Sequence, residues 1–309
     1  MNLKREDLVL SVSPHVKSKR TTRRIVYEVI GALIPAAAFG VWLFGISGLW
    51  ILLVCIGGCV LTEWGVQKLR KKPVTVADGS AILTGLLLAM VLPPELPLWM
   101  AGVGAFVSIL IGKQLFGGLG QNIFNPALIG RAFLTAAFPV SMTTWIFPDG
   151  ISSATPLALA KFESEIVLLK SLIIGKVGGC LGETSAVLLI VGGLYLLIRR
   201  IIDWRVPLGI FATVFIFAAV VNFFKPIGSG LFHLFSGGLM IGAWFMATDP
   251  VTSPLTKSGR WIFAIGIGIL VMIIRVWGGL PEGVMYAILI MNALCPLINR
   301  YTIPRQLGG

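Results

Sequence analysis

Long hydrophobic blocks with almost no charge recur along the chain, and they limit what it can fold into. Each block is close to the roughly 20 residues that a helix needs to cross the hydrocarbon core of a bilayer. Of all residues, 56% are hydrophobic and only 12% are charged. A water-soluble domain needs more charge on its surface than this. The chain is therefore predicted to be an all-α polytopic membrane protein.

The blocks divide into ten predicted transmembrane helices, five on each side of a more polar interlude. The first five are Ile25–Ile46, Leu49–Trp64, Ala81–Leu92, Leu98–Leu115 and Pro126–Pro139. The second five are Thr184–Ile198, Val206–Phe224, Leu231–Ala247, Trp261–Trp277 and Gly283–Ile298. The predicted parts are a basic arm at 1–24, a first repeat at 25–139, the interlude at 140–183, a second repeat at 184–298 and a tail at 299–309.

The basic residues give this arrangement a direction across the membrane. If both termini are cytoplasmic, 19 of the 25 Lys and Arg residues lie on the cytoplasmic side, five lie outside and Arg131 lies within a span. This asymmetry follows the positive-inside rule. Because the basic residues cluster at span ends, the net charge of +12 indicates membrane topology and not nucleic-acid binding. The interlude is predicted to lie outside the cytoplasm, in a protein of the cell (inner) membrane.

Two short motifs recur at corresponding places in the two halves. Residues 89–94 and 117–119 frame the fourth predicted helix, and the similar residues 245–250 and 278–280 frame the ninth. With five crossings in each half, the two copies would be inverted relative to each other. Inverted repeats of this kind are common in membrane transport folds.

The interlude contains the stretch Asp149-Gly150-Ile151-Ser152-Ser153-Ala154-Thr155-Pro156-Leu157, which predicts the start of a short helix. Thr155 suits the N-cap, since its side-chain oxygen can accept from a backbone N–H of the first turn, and Pro156 suits the first helical position. A helix start also favours an anion, and a phosphate on the Thr155 hydroxyl would fit that geometry. An ordinary Thr-Pro cap explains the same residues.

Several charged residues at or near the spans are candidates for function, because ionisable groups are unfavourable at membrane depth. Asp78, Glu183 and Asp249 each border a helix end and a Gly or Pro, where capping in the headgroup zone is the competing explanation. Arg131 lies within a short helix after a glycine-rich approach, a pattern that resembles the broken helices lining membrane cavities. It could bind an anionic cofactor or pair with a carboxylate.

Asn122 and Asn125 lie next to the start of the same helix. Asn125 followed by Pro126 is a good N-cap arrangement. Two amides on neighbouring turns could also bind the edge of a heteroaromatic ring, since each offers a donor and an acceptor. The two histidines and four cysteines of the chain do not form the ligand sets of a haem or an iron–sulfur cluster. Any electrons carried by this chain would need an organic cofactor.

Residues 149–155 resemble the target motif of flavin transferases, Asp-Gly-x-Ser/Thr-x-Ala-Thr, and fit it without a break. Residues 121–128, 179–185 and 246–251 and the ten-helix frame extend the resemblance over nearly the whole chain. Together they are similar to the RnfD/NqrB family of membrane subunits. One branch of this family belongs to the Rnf complex, the ion-translocating ferredoxin:NAD oxidoreductase, and the other to the sodium-translocating NADH:quinone oxidoreductase. The short N-terminal arm and compact interlude favour the Rnf member.

The resemblance implies that Thr155 carries FMN, attached through a phosphodiester. Asp149 would then be the acidic residue that the transferase needs in its target. The other motif residues around the cofactor would be Ser152, Ser153 and Ala154.

The resemblance also implies a second, non-covalent flavin. Asn122 and Asn125 match an Asn-x-x-Asn pair that lies near a riboflavin in the quinone-linked relative. Less directly, three acidic residues match positions discussed there for cation passage, although the relative carries Glu at the first of them. These ion-pathway candidates are Asp78, Glu183 and Asp249.

The function that the resemblance implies is that of a flavoprotein subunit in an electron-transport complex. Such a complex couples electron transfer from ferredoxin to NAD with translocation of Na⁺ or H⁺. Its other parts would be further membrane subunits, a second flavin-bearing subunit and iron–sulfur subunits, with a flavin transferase needed for maturation. The chain would not be a complete enzyme alone. A secondary transporter or a scaffold subunit would also explain the repeat and the buried charges.

Overall fold

The computed structural model describes residues 21–145, 154–163, 169–174, 178–224 and 227–303. Within these ranges the chain is helical and contains no β-strand. Four of the helices are long and apolar enough to cross a membrane, judged by length and composition, and four shorter apolar helices accompany them. The prediction of an all-α polytopic membrane protein is confirmed.

The helices follow the predicted order. The first are α1 (Thr22–Leu69), α2 (Ser80–Met90), α3 (Leu98–Ile109), α4 (Pro126–Ala137) and α5 (Pro139–Thr143). The interlude contains the short helices α6 (Pro156–Ala158) and α7 (Leu169–Ile174). The remaining described helices are α8 (Ala186–Ile198), α9 (Arg205–Phe224), α10 (Gly230–Phe235), α11 (Leu239–Ile241), α12 (Lys257–Trp277) and α13 (Val284–Thr302).

The long helix α1 consists of two arms joined at one glycine. Gly45 has φ 66° and ψ −141°, a conformation that glycine adopts without a steric penalty. The two arms correspond to the first two predicted spans, and the second arm continues to Leu69. If the arms are counted separately and α10 and α11 together, the described chain has the ten predicted apolar segments. Their division into two inverted repeats stays a prediction.

The eighth predicted helix is broken in its middle. The prediction of one helix at Leu231–Ala247 is wrong, because α10 and α11 are separated at 236–238. Gly237 there has φ 68°, which a residue with a Cβ rarely adopts. The backbone groups left without helical partners are satisfied by distant side chains. Arg275 donates to two carbonyls at the end of α10 at 2.5 and 2.9 Å, and Glu282 accepts from an N–H of the break at 2.6 Å.

In the described ranges, three five-residue π-helical turns accompany the α-helices. They lie at Leu110–Gln114 after α3, at Leu159–Glu163 after α6 and at Gly242–Met246 after α11. Turns of this type are rare and occur frequently at functional sites. Each of the three borders one of the two cavities described below.

Glycine allows α1 and α2 to approach closely. A Cβ added to Gly85 of α2 would lie 2.6 Å from the Ile56 Cα and 2.7 Å from the carbonyl oxygen of Cys55, both in α1. Small residues at helix crossings permit such contacts in membranes, where packing drives association. Cys55 itself is fully buried at this crossing, as its position inside an apolar span suggests.

Gly85→Val is expected to destabilise the fold, since the added side chain meets backbone atoms that cannot move aside. Overpacking of this kind costs about 1–3 kcal/mol, and a lower Tm in detergent would measure it. Gly57→Val is the matched control, because a Cβ at Gly57 of α1 meets no atom within 4 Å. Equal Tm values for the two variants would contradict this packing.

Candidate functional site

Two cavities bring together the described residues that the sequence analysis singled out. The threonine cavity, with a volume of about 320 Å³, is lined by Arg131, Ala154, Thr155, Glu183 and Glu282 among others. The asparagine cavity, of about 660 Å³, is lined by Asp78, Lys113, Asn122, Asn125 and Asp249 among others. Helix α4 runs from one to the other. Asn125 and Arg131 are six residues apart, which is about 9 Å along a helix axis.

Thr155 begins α6 as predicted. Its Oγ1 accepts a hydrogen bond from the Ala158 N–H at 3.2 Å, and Pro156 occupies the first helical position. Only 8% of Thr155 is exposed, and it lines the threonine cavity together with Ala154. Residues 149–153 of the predicted motif, which include the site candidates Asp149, Ser152 and Ser153, lie outside the described residues.

Arg131 has a partner that the sequence could not identify. Its Nη2 lies 2.7 Å from Glu282 Oε2, and both side chains are largely buried. The other carboxylate oxygen of Glu282 accepts from the Gly238 N–H at 2.6 Å. Burial raises the pKa of this carboxyl, but Arg131, the Gly238 N–H and Arg275 together outweigh burial, so that the pKa lies below its ordinary value. The ionised pair therefore joins α4 to the loop before α13 and to the broken helix.

Glu183 reaches the threonine cavity from a 3₁₀ turn at Leu181–Glu183. Its carboxylate has no ion pair within 4 Å in the described part of the chain. A carboxylate in this setting can accept a proton or contact a cation, since no arginine or lysine neutralises it at close range. Its assignment to an ion pathway stays a prediction.

The two predicted asparagines have different roles in the asparagine cavity. Asn125 caps α4, because its Oδ1 accepts from two N–H groups of the first turn at 3.1 and 3.4 Å. Its Nδ2 donates to the carbonyl of Met246 at 3.3 Å. Asn122 donates from Nδ2 to the Phe124 carbonyl at 3.1 Å, whereas its buried Oδ1 has no partner among the described residues. One acceptor beside the cavity is therefore unsatisfied.

The two aspartates of the asparagine cavity also cap backbone turns. Asp78 Oδ1 accepts from the N–H and the hydroxyl of Ser80 at 2.7 and 2.5 Å. Asp249 Oδ1 accepts from the Val251 N–H at 3.1 Å, and its Oδ2 accepts from the Thr252 hydroxyl at 3.2 Å. Capping, the competing explanation for both aspartates, is therefore present. Both nevertheless line the cavity.

A buried ion pair that was not predicted from the sequence lies at the edge of the asparagine cavity. Lys113 Nζ lies 2.7 Å from both carboxylate oxygens of Glu63 and 2.5 Å from the Ser80 hydroxyl, which bonds to Asp78. The Lys113 and Glu63 side chains are only 2% and 1% exposed. The topology count placed Lys113 with the cytoplasmic charges, but the structure buries it. The sequence feature that could have revealed this pair is Glu63, an acidic residue inside the second predicted span.

Lys113→Met is expected to destabilise the protein by about 3–5 kcal/mol, because it leaves the Glu63 carboxylate buried without a counter-charge. The loss should appear as a lower Tm in detergent, and adding Glu63→Gln should recover part of it. Lys68→Met is the control, since Lys68 lies exposed over the Trp64 ring. Wild-type stability of Lys113→Met would contradict the assigned pair.

Comparison with known proteins agrees with the family resemblance of the motifs. The chain matches the NQR2, RnfD, RnfE family over residues 9–308. It is 46% identical to a Clostridium ljungdahlii protein over 99% of this chain and 98% of that protein, which is named as the D subunit of a proton-translocating ferredoxin:NAD(+) oxidoreductase complex. It is also 46% identical to the D subunit of the Na(+)-translocating ferredoxin:NAD(+) oxidoreductase complex of Acetobacterium woodii, over 98% of this chain and 96% of that one.

A third relative has a more general name. The chain is 45% identical to the D subunit of the ion-translocating oxidoreductase complex of Stutzerimonas stutzeri, over 92% of each chain. These alignments span almost the full length of both partners, so the similarity concerns the whole fold and not one motif. The chain therefore belongs to the NQR2, RnfD, RnfE family.

Proposed function

We propose that this chain is a membrane flavoprotein subunit of an ion-translocating ferredoxin:NAD(+) oxidoreductase complex, with flavins in its two cavities as electron carriers. The proposal rests on one observation. The threonine that completes the flavin-transferase motif lies on the wall of a cavity that a buried arginine also lines. The relatives' names support the assignment to such a complex.

The threonine cavity suits an FMN that is attached through its phosphate. Thr155 Oγ1 would carry the phosphodiester, and the Arg131 guanidinium of the same cavity would favour its negative charge. Apolar and aromatic side chains such as Leu157, Met285 and Tyr286 would face the ring system. A bound flavin supplies the redox chemistry, while the protein supplies binding, orientation and electrostatics.

Thr155→Ala is expected to abolish covalent flavin attachment, because it removes the oxygen that forms the ester. The test is coexpression with a flavin transferase, followed by a denaturing gel read by flavin fluorescence. Thr143→Ala is the matched control, since Thr143 lines the same cavity and its hydroxyl donates to the Pro139 carbonyl at 2.8 Å. It should keep the fluorescent band.

Two results would count against this site. A band that survives Thr155→Ala would place the flavin elsewhere. The absence of a band in the wild-type protein would favour the alternatives of a secondary transporter or a non-redox scaffold subunit.

A second flavin, non-covalent riboflavin, is proposed for the asparagine cavity. The unsatisfied Asn122 Oδ1 supports it, because the imide N–H of a flavin ring is a donor of the kind that this oxygen lacks. The volume of about 660 Å³ lies within the range of about 300–1,000 Å³ for small-molecule sites. Flavins in both cavities would provide two electron carriers along α4.

Asn122→Leu is expected to weaken riboflavin binding about tenfold, since one buried hydrogen bond to the ring is lost. The measurement is the amount of flavin released by acid from the purified complex. The covalent flavin at Thr155 serves as the internal control and should not change. Unchanged riboflavin content in this variant would contradict the assigned site.

The proposal also covers the translocated ion, the orientation in the membrane and the partner proteins. Two relatives of equal identity are named for different ions, so both Na⁺ and H⁺ remain compatible with this family. Asp78, Glu183 and Asp249 are proposed to line the ion pathway. By the positive-inside rule, the termini would lie in the cytoplasm and the threonine cavity outside it. The partners would be membrane subunits, a second flavin-bearing subunit, iron–sulfur subunits and a flavin transferase.

A further inference from the structure

We infer that Thr155 receives its flavin while residues 154–163 are undocked from the helix bundle, and that Lys161 then fixes this flavin-bearing segment in place. The inference rests on the proposed covalent site. It adds the order of modification and docking, and it assigns a positioning role to Lys161.

In the docked structure, an enzyme has little access to the Thr155 hydroxyl. Thr155 is 8% exposed, and its Oγ1 already accepts a hydrogen bond from a backbone N–H of α6. Pro156 and Leu157 next to it are buried as well. Leu157 belongs to a small apolar cluster, separate from the main core, with Leu172 and Phe232. A transferase must bring a flavin nucleotide and its own catalytic groups to this one oxygen, so the segment has to move out first.

Lys161 attaches the segment to the second half of the chain. Its Nζ donates to the carbonyls of Ile274, Gly278 and Leu280 at 3.1, 2.5 and 2.9 Å. The first is in the last turn of α12, and the other two follow it. Carbonyls at a helix C-terminus carry partial negative charge, which favours an ammonium group. Because at least 113 residues separate Lys161 from these partners, the contact forms only when the segment docks.

The loop that Lys161 holds is also a wall of the threonine cavity. Leu280 and Glu282 line that cavity, and Arg131 of α4 holds Glu282 through its ion pair. Two cations thus fix the loop at 278–283, but only Lys161 lies on the segment that carries Thr155. Its hydrogen bonds are the ones that break and re-form when the segment undocks and docks.

The modification exchanges one P–O bond for another at the flavin phosphate. Thr155 Oγ1 forms a bond to the flavin phosphate of a flavin dinucleotide, and the pyrophosphate P–O bond breaks. The leaving nucleotide takes the electron pair, and the hydroxyl proton passes to a base of the transferase. Nothing is oxidised or reduced. Docking afterwards brings the phosphodiester into the cavity that Arg131 lines.

The test uses the full chain, purified without flavin and then incubated with the transferase and a flavin dinucleotide. In-gel fluorescence gives the labelling rate. Lys161→Met keeps the apolar stem but removes the ammonium group, so it should label about tenfold faster. Lys161→Arg retains donors for the same carbonyls and should restore the wild-type rate. Lys257→Met, an exposed position at the other end of α12, is the matched control and should label at the wild-type rate.

A second measurement follows the docked product. The covalent flavin of Lys161→Met should show lower fluorescence anisotropy than that of the wild type, and Lys161→Arg should restore it. If Lys161→Met does not fold, Leu157→Ala provides the same test, because it removes the apolar contacts of the segment and should also accelerate labelling. Failure of the wild type to label would refute the covalent site itself. A labelled wild type whose rate is unchanged or slowed by these substitutions would overturn the inference about docking alone.

Discussion

In a bilayer, backbone polar groups and charges need partners within the protein or a polar cavity to face, and the rest of this structure depends on that constraint. The broken helix between α10 and α11 exists because Arg275 and Glu282 satisfy its backbone groups. Glu282 in turn neutralises Arg131. One set of contacts therefore permits irregular backbone at membrane depth and builds a polar cavity in the same place.

The same constraint explains why the cavities lie where helices are short or irregular. A regular helix satisfies its own backbone, so it offers little to a ligand except side chains. Here α4 begins at one cavity and passes the other, and a π-helical turn borders each of them. Charge movement across a membrane potential is worth about 2.3 kcal/mol per 100 mV. An electron path along α4, with carboxylates beside both proposed flavins, would allow ion movement to respond to redox changes.

Much of the fold could be predicted from local sequence, because apolar length and helix caps are local properties. The spans of α9 and α12 and the caps at Asn125 and Thr155 are examples. What could not be predicted depends on contacts between distant residues. The break at 236–238 falls at Ser-Gly-Gly within an otherwise hydrophobic block, and the side chains that stabilise it come from beyond α11. The Lys113–Glu63 pair joins residues 50 positions apart, so a lysine that resembles a surface charge in the sequence is a buried cation.

In the proposed function, the Thr155 hydroxyl is an attachment point for a redox cofactor and not only a helix cap. Mass spectrometry of the peptide that contains Thr155, isolated from the native, active complex, tests this claim most directly. The expected result is a peptide heavier by one phosphate-linked FMN, with the added mass on Thr155. An unmodified peptide from an active complex would contradict it.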